Sequence, residues 1–163
     1  MTIIADATAL VLLAKISVLE IFVGRSNVIT SKEAYEEVMR GREKGRTDSI
    51  LTEKLVKEGK LKVMAPSKPV RDNIEKLFNL KGGELEVISL AYKKRHIILS
   101  DDKKCLNAAK ALGINFITSL DVIAALQKKN VISKSKALEC INGLEEYGWY
   151  AKDLINKYRE AVK

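Results

Sequence analysis

The 163-residue sequence contains few cysteines and histidines, the residues that form disulfide bonds and zinc sites. It has two cysteines, Cys105 and Cys140, and one histidine, His96. The two cysteines match no recognisable disulfide or metal-binding spacing, so we expect both to be small buried residues in a reducing cytoplasm. Nine glycines and two prolines are also too few for a fibrous or low-complexity chain.

Long apolar runs are missing as well. Asp6 and Lys15 interrupt the apolar segment near the N-terminus, and no basic residues precede it. This pattern predicts neither a secretory signal nor a membrane-spanning helix. We therefore expect a cytoplasmic protein with no membrane partner.

The composition that is present is that of a charged globular protein. Hydrophobic residues make up 47% and charged residues 31% of the chain. The length suits one domain with a real core. Lys and Arg outnumber Asp and Glu by 29 to 21, which gives a net charge of +8. That excess favours a polyanionic partner such as a nucleic acid.

The apolar pattern predicts short strands that alternate with helices. The predicted strands cover residues 2–5, 28–29, 61–64, 97–99 and 115–117. Strands separated by helices indicate crossover units, a parallel sheet and a three-layer α/β/α fold. We expect this domain to span residues 1–126. Residues 127–163 are predicted to form a helical C-terminal extension packed on the same domain.

The helix after the second predicted strand has a clear start signal. Thr30 and Glu33 match a capping box, with Thr30 as the N-cap and Glu33 at the third helical position. Glu37 then lies between the surface residue Glu36 and the apolar Val38. We expect the Glu37 side chain on the core side of this helix.

A conspicuous stretch ends the fourth predicted strand. The apolar Ile97–Leu99 run leads directly into Ser100, Asp101 and Asp102. A continuous apolar run suits a strand buried on both faces of a parallel sheet, and ligand sites gather at the carboxyl ends of such strands. Two adjacent acids at such a place need a cation or several hydrogen-bond donors.

Other acids are predicted to meet this point. Asp6 follows the first strand as Asp102 follows the fourth, so both belong at one edge of the sheet. Glu84 begins a helix, where the dipole favours an anion. Together with Glu37, these carboxylates would suit Mg²⁺ or Mn²⁺, which can promote phosphodiester hydrolysis. Each acid alone is better explained as an ordinary helix cap, and it is the whole set in this order that favours a metal site.

Four segments also resemble the motifs of PIN domains, in order and in spacing: Ile4–Thr8, Thr30–Val38, Gly83–Ala91 and Ile98–Asp102. The pattern is most similar to the prokaryotic VapC-like branch. There the central helix reads Gly-Glu-x-Glu-x-Ile-x-Leu-Ala and is followed by a double aspartate and a Leu-Gly. The resemblance covers roughly residues 2–126.

This resemblance implies a three-layer fold and a metal-dependent ribonuclease, with a toxin role and a paired antitoxin protein as further expectations. By position, the catalytic acids would be Asp6, Glu37, Glu84 and Asp102. The implied metal ligands are Asp6, Asp102, Glu84 and Asp101, with Asp102 preferred over Asp101. The implied supporting residues are Thr8, Ser100 and Glu86, and Glu86 competes with Glu84 for the third acidic position. The implied cofactor is Mg²⁺ or Mn²⁺.

The basic and aromatic residues bear on partners. We expect five basic residues to contact the RNA backbone: Arg42, Lys44, Arg46, Lys103 and Lys104. Three aromatic residues cluster between two tail helices, at Tyr147, Trp149 and Tyr150. We interpret them as a packing corner, with a base-stacking surface and an antitoxin or homodimer contact as alternatives.

Two other functions fit parts of the pattern. The first is a nucleic-acid-binding module that keeps the fold and basic surface without cutting. The second is a phosphohydrolase of the haloacid-dehalogenase type, prompted by Asp6 and Ala7 after the first strand. That family normally has a second aspartate where this sequence has Thr8, so we rank it low.

Overall fold

A computed structural model describes residues 1–162 of the chain, and these contain five strands. The strands are β1 (Thr2–Ala5), β2 (Val28–Ser31), β3 (Lys62–Met64), β4 (His96–Leu99) and β5 (Phe116–Ile117). All neighbouring pairs are parallel, in the order β3-β2-β1-β4-β5. The parallel α/β/α fold predicted from the sequence is confirmed.

Ten helices connect and extend these strands within the described residues. The first five are α1 (Ala7–Lys15), α2 (Leu19–Val23), α3 (Lys32–Met39), α4 (Thr47–Lys57) and α5 (Lys68–Leu77). The remaining five are α6 (Gly82–Ala91), α7 (Lys103–Ala111), α8 (Ser119–Lys128), α9 (Lys134–Tyr147) and α10 (Lys152–Val162). None of the helices in residues 1–162 has both the length and the apolar character needed to cross a bilayer.

The central strands set the position of the acidic edge. Ala5 at the end of β1 pairs with Leu99 of β4 on one side and with Thr30 of β2 on the other. The next residues, Asp6 and Ser100, therefore emerge side by side at the carboxyl edge. Ala5 and Leu99 are fully buried, as expected for central strands covered on both faces.

A close contact between α3 and α6 brings two further acids to this edge. A Cβ atom at Gly83 would lie 3.0 Å from the Cα of Ala34 and 3.1 Å from Oε2 of Glu37. Glycine at the start of α6 therefore permits an approach that any side chain would push apart. Glu84 lies in the first turn of α6 and Glu37 lies on α3. The contact between the two helices therefore brings both acids near the strand ends.

The predicted capping box at the start of α3 is wrong. Ser31 is the N-cap, and its Oγ accepts a hydrogen bond from the Ala34 N–H at 3.0 Å. Thr30 still belongs to the sheet, where its Oγ1 donates to the Ala5 carbonyl at 2.7 Å. Glu33 instead pairs with Arg71 on α5, at 3.1 Å.

The C-terminal helices pack on the rest of the chain. Helix α9 contacts α1 and α8, and α10 contacts α8 and α9. Ile155 and Val162 of α10 are buried in the core that the whole chain shares. The sequence-based boundary after residue 126 falls within α8, and the division of the chain into 1–126 and 127–163 stays a prediction.

Candidate functional site: a carboxylate cluster at the sheet edge

Asp6 is the most buried acid of the edge, with 2% of its surface exposed. It is the N-cap of α1, and its Oδ1 accepts a hydrogen bond from the Ala7 N–H at 2.8 Å. Its Oδ2 accepts hydrogen bonds from Ser100 Oγ at 2.9 Å and from Thr8 Oγ1 at 3.3 Å. Three donors therefore fix this carboxylate in one orientation.

Burial nevertheless disfavours the charged form of Asp6. Desolvation raises its pKa from the ordinary 3.8 to about 6, and the hydrogen bonds from Ser100 and Ala7 oppose that rise. The negative charges of Glu37 and Asp102 add to it. Asp6 therefore stands in an environment that would favour a nearby cation.

Ser100 joins the ends of β1 and β4. While its Oγ donates to Asp6, it also accepts the Asp102 N–H at 3.1 Å. Asp102 is the N-cap of α7, where its Oδ1 accepts from the Cys105 N–H at 2.8 Å. Ser100, which was predicted to be a supporting residue, therefore connects Asp6 directly to the backbone of Asp102 through its hydroxyl group.

Glu84 lies within electrostatic reach of Asp102 and Asp6. The pKa of Glu84 is raised from 4.5 to about 7. Partial burial is the largest cause, followed by the negative charges of Asp102 and Asp6. A hydrogen bond with Asp102 acts in the same direction, while Lys104 opposes it. Asp102 and Asp6 therefore lie close enough to Glu84 to raise its pKa.

A cleft of about 620 Å³ opens beside the cluster, and we call it the carboxylate cleft. Its lining includes three acids, Glu37, Asp101 and Asp102, and three bases, Lys15, Arg46 and Lys103. Glu37 is exposed to this cleft rather than held on the core side of α3, so the expectation for its side chain is wrong. It still faces the predicted group of acids.

Asp101 points its oxygens toward a different part of the molecule. Its Oδ1 accepts from the Ser119 N–H at 2.9 Å and its Oδ2 from Ser119 Oγ at 2.6 Å. The Tyr150 hydroxyl donates to Oδ1 as well. Asp101 therefore anchors the start of α8 and the segment before α10, while Asp102 faces the cluster.

Glu86 is also occupied elsewhere. Its Oε2 accepts the Glu33 N–H at 2.8 Å, at the start of α3, and only 6% of the residue is exposed. Thr8, by contrast, lies where the supporting role needs it, since its Oγ1 donates to Asp6 and accepts the Asp101 N–H at 3.3 Å. The geometry thus places Glu84, and not Glu86, beside Asp6 and Asp102.

The donor chemistry of the cluster fits a hard divalent cation. Asp6, Glu84 and Asp102 offer only carboxylate oxygens, and a cation would offset both the burial and the neighbouring negative charges that raise the pKa values of Asp6 and Glu84. Within residues 1–162, no three acidic, His or Cys side chains form a ready-made metal cage. Mg²⁺ does not need one, because it keeps several waters and uses one or two carboxylates together with substrate phosphates.

Three of the five basic residues predicted to bind RNA lie at the site. Arg46 and Lys103 line the carboxylate cleft. Lys104 is close enough to Glu84 to oppose the rise of its pKa. These cations lie beside the acids, where they could contact a phosphate backbone.

The other two basic residues have different surroundings. Arg42 is held by Glu53, with 2.6 Å between its Nε and Oε2. Lys44 lies exposed in the turn between α3 and α4. Neither residue lines the cleft. Of the three basic residues predicted in this loop, only Arg46 therefore lies at the carboxylate cleft.

Sequence reasoning overlooked two contributors to the site. Lys15 lines the cleft from the last turn of α1, and its spacing from Thr8 and Val11 was a usable signal, because these positions share one helical face. Tyr150 is 49 residues from its partner Asp101. No local pattern could have paired them.

Two comparisons with known proteins bear on this geometry. A family model described as a PIN domain matches residues 2–163. The chain is also 35% identical over 82 residues to the endoribonuclease Nob1 of Pyrococcus abyssi (strain GE5 / Orsay). That match covers 46% of this chain and 51% of the relative, so the chain spans about half the length of the curated relative it matches. Because the family model extends over nearly the whole chain and not one motif, the chain belongs to the PIN-domain family.

Proposed function

We propose that this protein is a Mg²⁺- or Mn²⁺-dependent endoribonuclease. The observation that carries the proposal is the meeting of Asp6, Glu84 and Asp102 at the carboxyl edge of the sheet, next to a cleft lined by cations. The similarity to an endoribonuclease supports RNA as the substrate. Metal dependence is proposed from the donor chemistry of the acids.

In this proposal Asp6, Asp102 and Glu84 hold the cation. The bound ion would acidify an attacking water and stabilise the charge that develops on the leaving oxygen. Ser100 and Thr8 keep the Asp6 carboxylate in its orientation through their hydrogen bonds. Glu37, exposed on the cleft wall, orients water at the scissile phosphate.

The basic residues serve the substrate. Arg46 and Lys103 line the cleft and would contact phosphates on either side of the cut, and Lys104 would contact the backbone near Glu84. Arg42 and Lys44 lie farther along the same loop and would add to binding of a longer RNA. Binding through such contacts weakens as salt increases.

The test is cleavage of an internally labelled single-stranded RNA by wild type and Asp6→Asn. We expect internal cleavage by wild type with Mg²⁺ or Mn²⁺, none with EDTA, and loss of cleavage in the folded variant. The matched control is Asp72→Asn, because Asp72 is an acid on α5 that pairs with Lys68 on the surface. Equal cleavage by Asp6→Asn and wild type would refute the proposal.

One observation favours a second candidate, a nucleic-acid-binding module that does not cut. The acids within residues 1–162 do not form a closed metal cage. The same experiment separates the two functions. RNA binding with no product over the full range of Mg²⁺ and Mn²⁺ concentrations would favour the binding module.

The finer form of the proposal is a cytoplasmic toxin of the VapC-like type, held inactive by a cognate antitoxin protein. It rests on the Gly83–Ala91 helix pattern and the double aspartate. Such a toxin arrests growth when it is expressed alone, and Asp6→Asn should abolish the arrest. Growth that is equally normal with wild type would count against this role. Sedimentation of the purified chain would test the proposed homodimer.

A further inference from the structure

The corner between α9 and α10 borders the carboxylate cleft. Tyr147, Gly148 and Trp149 all contribute to the cleft lining. Trp149 is fully exposed, although it is the largest apolar side chain in the chain. The sequence-based expectation of a packing corner therefore holds for Tyr150, which is partly buried, and fails for Tyr147 and Trp149, which are exposed.

The residues on both sides of Trp149 are held in place. Tyr150 donates a hydrogen bond to Asp101, next to the metal-ligand candidate Asp102. Tyr147 lies beneath the ammonium group of Lys15, which is 5.3 Å from the ring centre. The corner also needs glycine, since a Cβ at Gly148 would lie 2.8 Å from the Leu144 carbonyl and 2.9 Å from the Tyr150 ring.

Trp149 is not an isolated exposed ring, because Tyr147 is exposed beside it and both line the cleft. The surroundings indicate which partner these rings suit. The cleft combines the cations Lys15, Arg46 and Lys103 with Asp102, one of the acids proposed to hold a cation. A polyanion with flat aromatic groups complements such a surface, because phosphates meet the cations and a base meets the ring.

We propose that Trp149 is a stacking surface for one unpaired nucleobase of a single-stranded RNA whose scissile phosphate lies at the carboxylate cluster. This inference rests on the proposed ribonuclease function and adds to it a residue that positions the substrate. A base can stack on Trp149 only when its face is free, so the contact selects single-stranded over double-stranded RNA. Trp149 is a positioning residue, since it would hold a nucleotide beside the cut and not the reacting atoms.

Charge favours RNA over a protein partner as the occupant of the corner. Glu37, Arg46, Asp102 and Lys103 all line the same cleft, so an apolar protein surface docked on Trp149 would bury several charges without partners. An RNA strand leaves the phosphates on the cations and brings its own charge toward the cation-binding acids.

The chain provides its own probe, because Trp149 is its single tryptophan. We would titrate the full-length Asp6→Asn chain with a short single-stranded RNA in Mg²⁺ and follow its tryptophan fluorescence. This background prevents cleavage during the measurement. We expect strong quenching by the single strand and little quenching by the same RNA annealed to its complement.

Substitution of Trp149 should weaken binding selectively. Trp149→Ala should bind the single strand about tenfold more weakly, and Trp149→Phe should lie between the two, because stacking contributes on that order. With otherwise wild-type protein, Trp149→Ala should raise KM and leave kcat nearly unchanged. The matched control is Phe116→Ala, an exposed aromatic of β5 that lines a different cavity with Met1 and Asn27.

Three results would overturn the inference while leaving the ribonuclease proposal intact. They are cleavage with unchanged KM in Trp149→Ala, equal quenching by duplex, and a fluorescence change that follows protein concentration without RNA. The last would indicate a contact between copies of the chain. If wild type cuts no RNA in any metal but Trp149 is still quenched by single strands, the ribonuclease proposal fails and the stacking surface stands.

Discussion

The acids of helix α4 and those at the sheet edge have opposite electrostatic surroundings. On α4, Glu53 lies 2.6 Å from Arg42 and 3.2 Å from Lys57. Hydrogen bonds from these two cations lower its pKa below the usual range. At the sheet edge, burial and neighbouring acids raise the pKa values of Asp6 to about 6 and Glu84 to about 7.

This contrast cannot come from a lack of positive charge, since the chain carries a net charge of +8. Lys103 and Lys104 immediately follow Asp102 in sequence. The first lines the cleft, and the second only moderates the pKa of Glu84. Acids whose pKa values are raised by burial and by neighbouring acids therefore lie at the strand ends of a basic protein, and such acids are typical of functional sites more than of structural ion pairs.

The largest effect should come from removing one charge of the sheet-edge cluster. Asp102→Asn should lower the cleavage rate by about 10²–10³-fold, as is common when one charge-stabilising group is lost. Asparagine is also a good N-cap, so α7 should keep its start. Rates measured at saturating RNA in Mn²⁺ would check this.

The control for that variant is Glu36→Gln, because Glu36 is an exposed acid that pairs with Lys32 on α3. Its cleavage rate should match wild type. If Asp102→Asn lost no more activity than Glu36→Gln, the electrostatic contrast between the two kinds of acid would have no functional meaning.

The next largest effect should come from the neighbour of Asp102. Asp101→Ala removes the acceptor of Ser119 and Tyr150 and leaves their polar groups unsatisfied. We expect the free energy of unfolding to fall by about 2–3 kcal/mol, measured in urea. Tyr150→Phe removes one donor and should cost about 1 kcal/mol. A loss of metal affinity in Asp101→Ala without loss of stability would instead assign Asp101 to the metal.

These two adjacent acids show how far the sequence could be interpreted. Apolar strands followed by acids predicted that Asp6 and Asp102 share an edge, because strands separated by helices run parallel and end on the same side of the sheet. The sequence could not separate the roles of Asp101 and Asp102. That separation depends on Ser119 and Tyr150, which reach Asp101 from elements later in the chain.

The error at the start of α3 has a similar origin. Thr30 and Ser31 are adjacent hydroxyl residues, and either suits an N-cap. The choice depends on β2, which continues through Ser31 and directs Thr30 Oγ1 to the neighbouring strand. Local patterns predicted that a helix begins here, and tertiary hydrogen bonds decided at which residue.

A third prediction concerns pH and the metal-free chain. The pKa of Asp6 is higher in the folded chain than its ordinary 3.8, so the folded state holds this proton more tightly. Stability should therefore fall as pH rises from about 4 to about 6, and the raised pKa corresponds to at most about 3 kcal/mol. Asp6→Asn should remove the part of this fall that Asp6 causes, leave the part that the raised pKa of Glu84 causes, and stabilise the metal-free chain at pH 7.5 by about 1–2 kcal/mol.

Thermal unfolding in EDTA at pH 4.5 and 7.5 would measure this difference. Mg²⁺ or Mn²⁺ should stabilise wild type at pH 7.5 more than it stabilises Asp6→Asn, because only the former keeps all three acids. A wild-type chain whose stability rises steadily from pH 4 to 6 in EDTA would contradict the proposed cost of ionising the buried Asp6 carboxyl group.

The smallest effect should come from the paired acid of α4. Glu53→Gln removes the charge that Arg42 and Lys57 contact, but these groups lie at the surface, where water and salt screen them. The urea midpoint should stay within experimental scatter of wild type, and cleavage in Mn²⁺ should not change.

Because the pKa of Glu53 is lowered, any stabilisation it gives is present above its ordinary pKa and is lost as pH falls through the folded value. The pH dependence of this pair therefore has the opposite sign to that of Asp6, and a double variant should show the two effects adding, since they arise in separate parts of the molecule.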